Sequence, residues 1–117
     1  MWILIAAASG ALAVAAGAFG AHGLRAQATV EQLQSWTTAS QYHLLHSVVL
    51  LALALYAAQS GRGIQWPASL FTIGIVLFSG SIYLLVLTPV RWLGPVTPVG
   101  GLFLIAGWVS LLLLARN

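Results

Sequence analysis

Three histidines are the side chains best suited to chemistry in this 117-residue chain. His43 and His46 lie three residues apart, so a helix would place both imidazoles on adjacent turns of one face. Two imidazoles at this spacing can bind a divalent metal, and His22 can supply a third nitrogen. The alternative is that each histidine hydrogen-bonds to another helix or to lipid headgroups. We favour this alternative and expect no cofactor, because the chain has no cysteine to complete a metal site.

His46 is the histidine with the strongest case for a function of its own. It lies below the predicted membrane interface, where an ionisable side chain is costly and normally faces protein or water. We expect the hydroxyls of Ser79, Ser81 or Thr88 to be its hydrogen-bond partners. A structural hydrogen bond between helices is favoured over a role in a proton relay.

Arg25, Glu31 and Arg91 are the second group of residues that suggests a site. Either arginine can pair with Glu31, the only acidic residue, although arginines near membranes usually extend to lipid phosphates. The candidate polar site therefore consists of His22, Arg25, Glu31, His46 and Arg91, with an anionic headgroup or metabolite as its ligand. A single carboxylate cannot provide paired carboxylates, and no nucleophile or phosphate-loop motif is present. We predict that the protein is not an enzyme.

The composition shows which elements must position these side chains. Apolar residues make up 61% of the chain and charged residues only 4%, which is too little polar surface for a soluble globule. Four apolar stretches approach the ~20 residues that a helix needs to cross a bilayer. We predict one integral membrane domain, residues 1–117, folded as an all-α four-helix transmembrane bundle. The predicted spans are residues 2–21, 42–58, 67–88 and 99–115.

The start of the second helix has a local sequence signature. Thr29 and Gln32 match a capping box, which predicts a helix that begins near Val30. Val30, Leu33 and Trp36 recur at helical spacing beside polar residues. This pattern is typical of an amphipathic segment that lies at the membrane interface.

Small residues dominate the first span and recur in the third and fourth. Lipid tails give helices no hydrophobic reason to associate, so close backbone approach supplies the attraction. We therefore expect the first span to be a packed, central helix. The glycines expected at helix contacts are Gly10, Gly17, Gly20, Gly80, Gly100, Gly101 and Gly107.

The number of crossings predicts how the polar residues are distributed. Four consecutive crossings place both termini and the loop at 59–66 on one side of the membrane. The other side receives the connection at 21–41 and the loop at 89–98, which hold most of the polar side chains. We expect this polar face to be periplasmic.

The arginines give the orientation and exclude one class of partner. Arg62 and Arg116 on one side balance Arg25 and Arg91 on the other, and the amino-terminal charge favours termini in the cytoplasm. Four scattered arginines form no basic patch, so nucleic acid is not an expected partner.

Four motifs occur in order along nearly the whole chain. They are Gly17-Ala18-Phe19-Gly20-Ala21-His22, Trp36-x-x-Ala39-x-x-Tyr42-x-x-x-His46, Leu77-Phe78-Ser79-Gly80-Ser81-Ile82-Tyr83 and Val96-Thr97-Pro98-Val99-Gly100-Gly101-x-x-x-x-Ala106-Gly107-Trp108. Together they resemble the YgdD/YwdK-like small membrane proteins, a family also called domain of unknown function 423. The resemblance implies a multi-pass protein with four spans in the bacterial inner (plasma) membrane. It implies no reaction, because none is established for the family.

Three functions remain open from the sequence, and we rank them in order. The first is a non-enzymatic membrane protein whose polar face binds lipid, a membrane protein partner or a second copy of itself. The second is a transporter of small solutes, ions or protons that acts as an oligomer, with polar groups leading from His22 and His46 towards Arg62. The third is a metal- or haem-binding electron carrier.

Overall fold

Four α-helices make up this computed structural model, which describes residues 1–116. Each helix is long and apolar enough to cross a membrane. The helices are α1 (Trp2–His22), α2 (Val30–Ser60), α3 (Gln65–Leu87) and α4 (Val96–Arg116). The predicted all-α four-helix transmembrane bundle is confirmed, and the described part of the chain contains no strand.

The second helix begins where its capping residues predict. The Thr29 hydroxyl accepts from the backbone N–H of Gln32 at 3.1 Å, and the Gln32 side chain accepts from the backbone N–H of Thr29 at 2.9 Å. These reciprocal bonds satisfy two N–H groups that a helix start otherwise leaves unpaired. At the other end, Gly61 has a φ of 73°, a left-handed conformation that terminates α2.

Two prolines lie inside the first turn of a helix. Pro67 is the third residue of α3 and Pro98 is the third residue of α4. The N–H groups of a first turn have no intrahelical acceptor, so a proline there removes no hydrogen bond. Both helices consequently begin slightly before the predicted spans. Which residues of each helix lie inside the hydrocarbon stays a prediction.

Each helix packs against its neighbour in sequence, so α1 contacts α2, α2 contacts α3 and α3 contacts α4. The Trp2 indole donates to the Gln65 side chain at 3.2 Å, which places the amino terminus beside the start of α3. At the opposite end of the bundle, the hydroxyls of Ser81 and Thr97 are 2.5 Å apart. The α1–α2 and α3–α4 connections therefore lie at one end, which we call the rim.

The first helix lies at the edge of the bundle, and the prediction of a central first helix is wrong. Its only buried residues are Ala6, Ala13 and Gly20. They recur every seven positions and therefore form one narrow face against α2. Leu50 and Phe71 belong to the fully buried core instead, because small side chains cannot fill the space between several helices.

The last two helices approach each other closely at glycines. A Cβ atom at Gly100 would overlap the backbone of Phe78, and one at Gly107 would lie 2.7 Å from the ring of Phe71. Such contacts allow the dispersion attraction on which helix association in lipid depends. The other predicted contact glycines differ from one another. A Cβ would be crowded at Gly20, and it would lie in open space at Gly80. It would make ordinary contacts at Gly10, Gly17 and Gly101.

Candidate functional site

The rim holds most of the predicted polar site. Four of its five residues are exposed there: His22, Arg25, Glu31 and Arg91. The first three lie at or beside the α1–α2 connection, and Arg91 lies between α3 and α4. The fifth residue, His46, is buried inside the bundle with 3% of its surface exposed. The structure therefore separates an exposed rim group from an internal histidine.

Both ring nitrogens of His46 have protein partners. Nδ1 lies 2.7 Å from the backbone carbonyl oxygen of Tyr42, and Nε2 lies 3.0 Å from the indole nitrogen of Trp108. A carbonyl can only accept and an indole N–H can only donate, so Nδ1 carries the proton and Nε2 accepts. His46 is consequently a neutral imidazole that links α2 to α4.

The prediction of hydroxyl partners for His46 was wrong. Ser79 donates to a carbonyl of α2 at 2.8 Å, while Ser81 and Thr88 donate to carbonyls of α3. Serine and threonine commonly satisfy themselves on nearby backbone carbonyls in this way. The sequence signal that identifies the true partner is Trp108, an indole in the middle of an apolar span whose N–H needs an acceptor.

The three histidines do not assemble into a metal site. Within residues 1–116, no group of three histidine, cysteine, aspartate or glutamate side chains is close enough to hold a metal ion. Both His46 nitrogens are engaged, His43 Nδ1 lies 3.0 Å from the Tyr83 hydroxyl, and His22 is exposed at the rim. This donor set does not fit a shared metal ion.

A groove of about 630 Å³ opens between the rim halves of α1 and α2, and we call it the rim groove. Arg25 lies at its rim end, and Thr37 and Gln41 follow along α2. Val14 and Leu44 line its inner end. The groove therefore changes from charged through polar to apolar along its length.

A second groove of about 700 Å³ separates α1 from α3 and has α2 as its floor, and we call it the side groove. Its walls are mainly apolar from Ile5, near the amino terminus, to Phe19, near the rim. At 1.5 Å per residue, this stretch of α1 is about 21 Å long. His43 and Tyr83 contribute polar atoms near the rim end.

An aromatic cluster lies at the rim end of the side groove. The ring centroids of Phe19 and Trp36 are 5.6 Å apart, and those of Trp36 and Tyr83 are 4.6 Å apart. The Trp36 indole donates to the carbonyl of Ala16 at 2.7 Å, which fixes this ring against α1. Tryptophan and tyrosine concentrate at membrane–water interfaces. We therefore expect the groove to meet the headgroup region at the height of this cluster.

Comparison with known proteins identifies a family. Residues 16–101 match the family described as "Protein of unknown function (DUF423)". The chain belongs to this family. It is 42% identical over 117 residues to the UPF0382 membrane protein YwdK of Bacillus subtilis, and the alignment covers 98% of this chain and 95% of that protein. It is 39% identical over 113 residues to a UPF0382 membrane protein of Staphylococcus epidermidis, and the alignment covers 97% of this chain and 93% of that protein. No solved structure matches the chain.

Membership of DUF423 confirms the predicted family and the membrane class of the protein. The motifs that carry the resemblance supply many of the bonds between its helices. Trp36 donates to α1 and Ser79 donates to α2. Trp108 donates to His46, and Thr97 contacts the hydroxyl of Ser81. These bonds connect α1 to α2, α2 to α3, α2 to α4 and α3 to α4 in this chain.

The serine and threonine hydroxyls along the side groove of this DUF423 protein have acceptors. Ser47 donates to the carbonyl of His43 at 2.7 Å, so Ser9, whose Oγ lies 2.6 Å from Ser47 Oγ, is the donor of that second bond. Ser79 and Thr72 each donate to a backbone carbonyl at 2.8 Å. These four hydroxyls therefore leave no proton free for a ligand.

Proposed function

We propose that this DUF423 protein is a non-enzymatic, lipid-binding membrane protein that holds an anionic phospholipid in the rim groove. The observation that carries the proposal is the order of chemistry along that groove. A guanidinium lies at the mouth, an amide and a hydroxyl follow, and aliphatic side chains line the inner end. A phospholipid presents the matching order of phosphate, glycerol esters and acyl chain.

Arg25 supplies the charge for this binding. A guanidinium stays ionised and can bind a phosphate through two parallel hydrogen bonds. Arg25 is exposed at the rim, where the positive charge can extend to the phosphate level of the bilayer. The chain has a formal net charge of +3 and a single carboxylate, which favours anionic over zwitterionic lipids.

A lipid suits the rim groove better than a helix of another protein. Thr37 and Gln41 present polar side chains in its middle. The backbone groups of a transmembrane helix are already paired with one another and have little need for such partners. Lipid phosphates and ester oxygens, by contrast, accept hydrogen bonds from amide and hydroxyl donors.

The experiment compares lipids that differ only in the headgroup. The protein, purified in a neutral detergent, is mixed with equal amounts of phosphatidylglycerol and phosphatidylcholine that have identical acyl chains. Native mass spectrometry then measures which lipid is retained. A surface arginine contributes on the order of 1 kcal/mol towards an anionic lipid. We therefore expect phosphatidylglycerol to be enriched about fivefold.

The variant Arg25→Gln should lose this enrichment. Arg91→Gln is the matched control, because Arg91 lies at the same rim but outside the groove. The control should keep the preference of the unmodified protein. Equal retention of both lipids by the unmodified protein, or equal losses in the two variants, would overturn the proposal.

The proposed location is the bacterial inner membrane, with both termini in the cytoplasm and the rim on the outer side. Two observations support this location. The membrane-protein relatives are bacterial, and the amino-terminal charge adds to that of Arg62 on the side of the termini, which the positive-inside rule places in the cytoplasm. The chain has no cysteine, so a single introduced thiol can report the side on which it lies. In spheroplasts, an impermeant maleimide should label Gln27→Cys and not Ser60→Cys. The reverse pattern would invert the orientation.

A further inference from the structure

One hydrogen-bond donor in the side groove has no protein partner. His43 Nδ1 lies 3.0 Å from the Tyr83 hydroxyl oxygen. A neutral imidazole has one N–H and a phenol has one O–H, so their mutual bond uses only one of two protons. Among residues 1–116, neither side chain makes a second hydrogen bond. A donor therefore remains free, on either His43 Nε2 or the Tyr83 hydroxyl.

The free donor belongs to a pair of residues in the wall of the side groove. His43 and Tyr83 both line the groove, although only 7% of the His43 surface is exposed. No fully buried side-chain nitrogen or oxygen in residues 1–116 lacks a hydrogen bond. His43 Nε2, which has no hydrogen-bond partner in the described part of the chain, is consequently accessible from the surface, and the half-buried Tyr83 lines the same groove. In an apolar environment a free donor is strongly unfavourable, so an acceptor from outside the chain belongs here.

The height of the pair indicates the chemistry of that acceptor. Tyr83 lies four residues before Leu87, the end of α3, which is about 6 Å along the helix. The aromatic cluster of Phe19, Trp36 and Tyr83 lies at the same level. Because tryptophan and tyrosine concentrate at interfaces, we place the boundary between headgroups and hydrocarbon at this level, which is where phospholipids carry their ester carbonyls.

We infer that the side groove binds one acyl chain of a bilayer phospholipid, and that the ester carbonyl of this chain accepts the free proton of the His43–Tyr83 pair. The chain extends from this pair towards Ile5. The groove's length of about 21 Å exceeds half of the ~30 Å hydrocarbon core, so it holds a whole chain from one leaflet. A helix of a second copy does not match, because its backbone carbonyls are already paired.

This site is independent of the headgroup site. The side groove and the rim groove use different faces of α1. The side groove recognises the ester group of a lipid, whereas Arg25 in the rim groove recognises the charge of the headgroup. Thr37 and Gln41 of the rim groove can also donate to ester oxygens, so variants of the His43–Tyr83 pair are needed to assign an ester preference to the side groove.

The test uses two phosphatidylcholines of equal chain length, one with ester-linked and one with ether-linked chains. The ether lipid lacks the carbonyl and keeps the headgroup. Native mass spectrometry of the unmodified protein, mixed with equal amounts of both, should show about fivefold enrichment of the ester lipid, as one hydrogen bond provides. Equal retention of the two lipids, or a dimer that retains neither, would overturn the inference.

Variants assign the preference to the pair. The double variant His43→Phe with Tyr83→Phe removes both donors and should lose most of the preference for the ester lipid, whereas each single variant keeps one free donor, as the unmodified pair does, and should keep the preference. Tyr42→Phe is the matched control, because Tyr42 neighbours His43 but lies outside the groove, and it should keep the fivefold ratio. A double variant with an undiminished preference would contradict the assignment. If the double variant fails to fold, Thr37→Val combined with Gln41→Leu decides, because it removes the ester donors of the rim groove and the inference requires it to keep the preference for the ester lipid.

Discussion

The α3–α4 pair and the α1–α2 pair pack in different ways. Between α3 and α4, a Cβ atom at Gly74 would lie 2.6 Å from the side chain of Leu104, and one at Gly100 would overlap the backbone of Phe78. Between α1 and α2, a Cβ at Gly17 would lie 3.9 Å from Ser40, which is an ordinary contact. A Cβ at Gly20 of α1 would be crowded by Trp36, but by its side chain and not by backbone. Glycine therefore lets the backbones approach closely in the α3–α4 pair, whereas the nearest atoms across the α1–α2 pair belong to side chains.

This difference separates a closely packed half from the half to which both proposals assign lipid. Dispersion between closely packed atoms is a main attraction between helices in lipid, so we expect the α3–α4 pair to be the rigid half. The first helix contacts α2 through one narrow face and is flanked by both grooves. Small residues on α1 thus leave the two grooves open beside the helix, whereas glycines on α3 and α4 bring these helices together.

The largest expected effect comes from a methyl group added to the rigid half. Gly100→Ala places its Cβ against the backbone of Phe78, which cannot move aside as a side chain can. We expect a loss of about 3 kcal/mol of stability, at the upper end of the range for overpacked sites. Unfolding by sodium dodecyl sulfate in mixed micelles, followed by circular dichroism, measures this loss.

The control for this variant lies on the other helix pair. Gly17→Ala adds the same methyl group where it would make only an ordinary contact. The better helix propensity of alanine offsets any small cost of this contact, so we expect the stability to stay within about 0.5 kcal/mol of that of the unmodified protein. Equal losses in the two variants would remove the distinction between a rigid half and a loosely packed half.

A smaller loss is expected when α4 is disconnected from α2. Trp108→Phe removes the indole N–H and leaves His46 Nε2 without a donor in a buried place. We expect a loss of about 1–2 kcal/mol of unfolding free energy. The same titration measures it, and Trp66→Phe, which changes a tryptophan that is 77% exposed, is the control.

A second substitution makes the expected effect of Trp108→Phe more specific. His46→Phe combined with Trp108→Phe removes both partners and leaves no unpaired polar atom. The double variant should therefore recover part of the stability that Trp108→Phe loses. If it is less stable than the sum of the two single changes predicts, the bond between these residues is not the source of the loss.

Local features of the fold were predictable from the sequence because they depend on neighbouring residues. The capping box of Thr29 and Gln32 needs only the spacing of two side chains and the start of a helix. The four helices follow from composition and length. The rim follows from an even number of crossings, which brings Arg25 and Arg91 to one end without any knowledge of packing.

Features that depend on which helix faces meet were not predictable. The predicted hydroxyl partners of His46 lay on α3, but the true donor, Trp108, lies on α4 and reaches His46 only in the packed bundle. The abundance of small residues in α1 predicted close packing but could not show that a single face is used. Likewise, the pairing of His43 with Tyr83 joins residues forty positions apart and has no local signal.

The length of α2 has a consequence for the membranes that this protein can occupy. Its 31 residues form a rod of about 46 Å, which is longer than the ~40–45 Å of a bilayer with its headgroups. Where the hydrocarbon is thinner than the apolar part of this rod, tilting is one way to accommodate the difference, and α1 and α3 both pack against α2. A tilt of α2 therefore inclines its two neighbours with it, through the one element that they share.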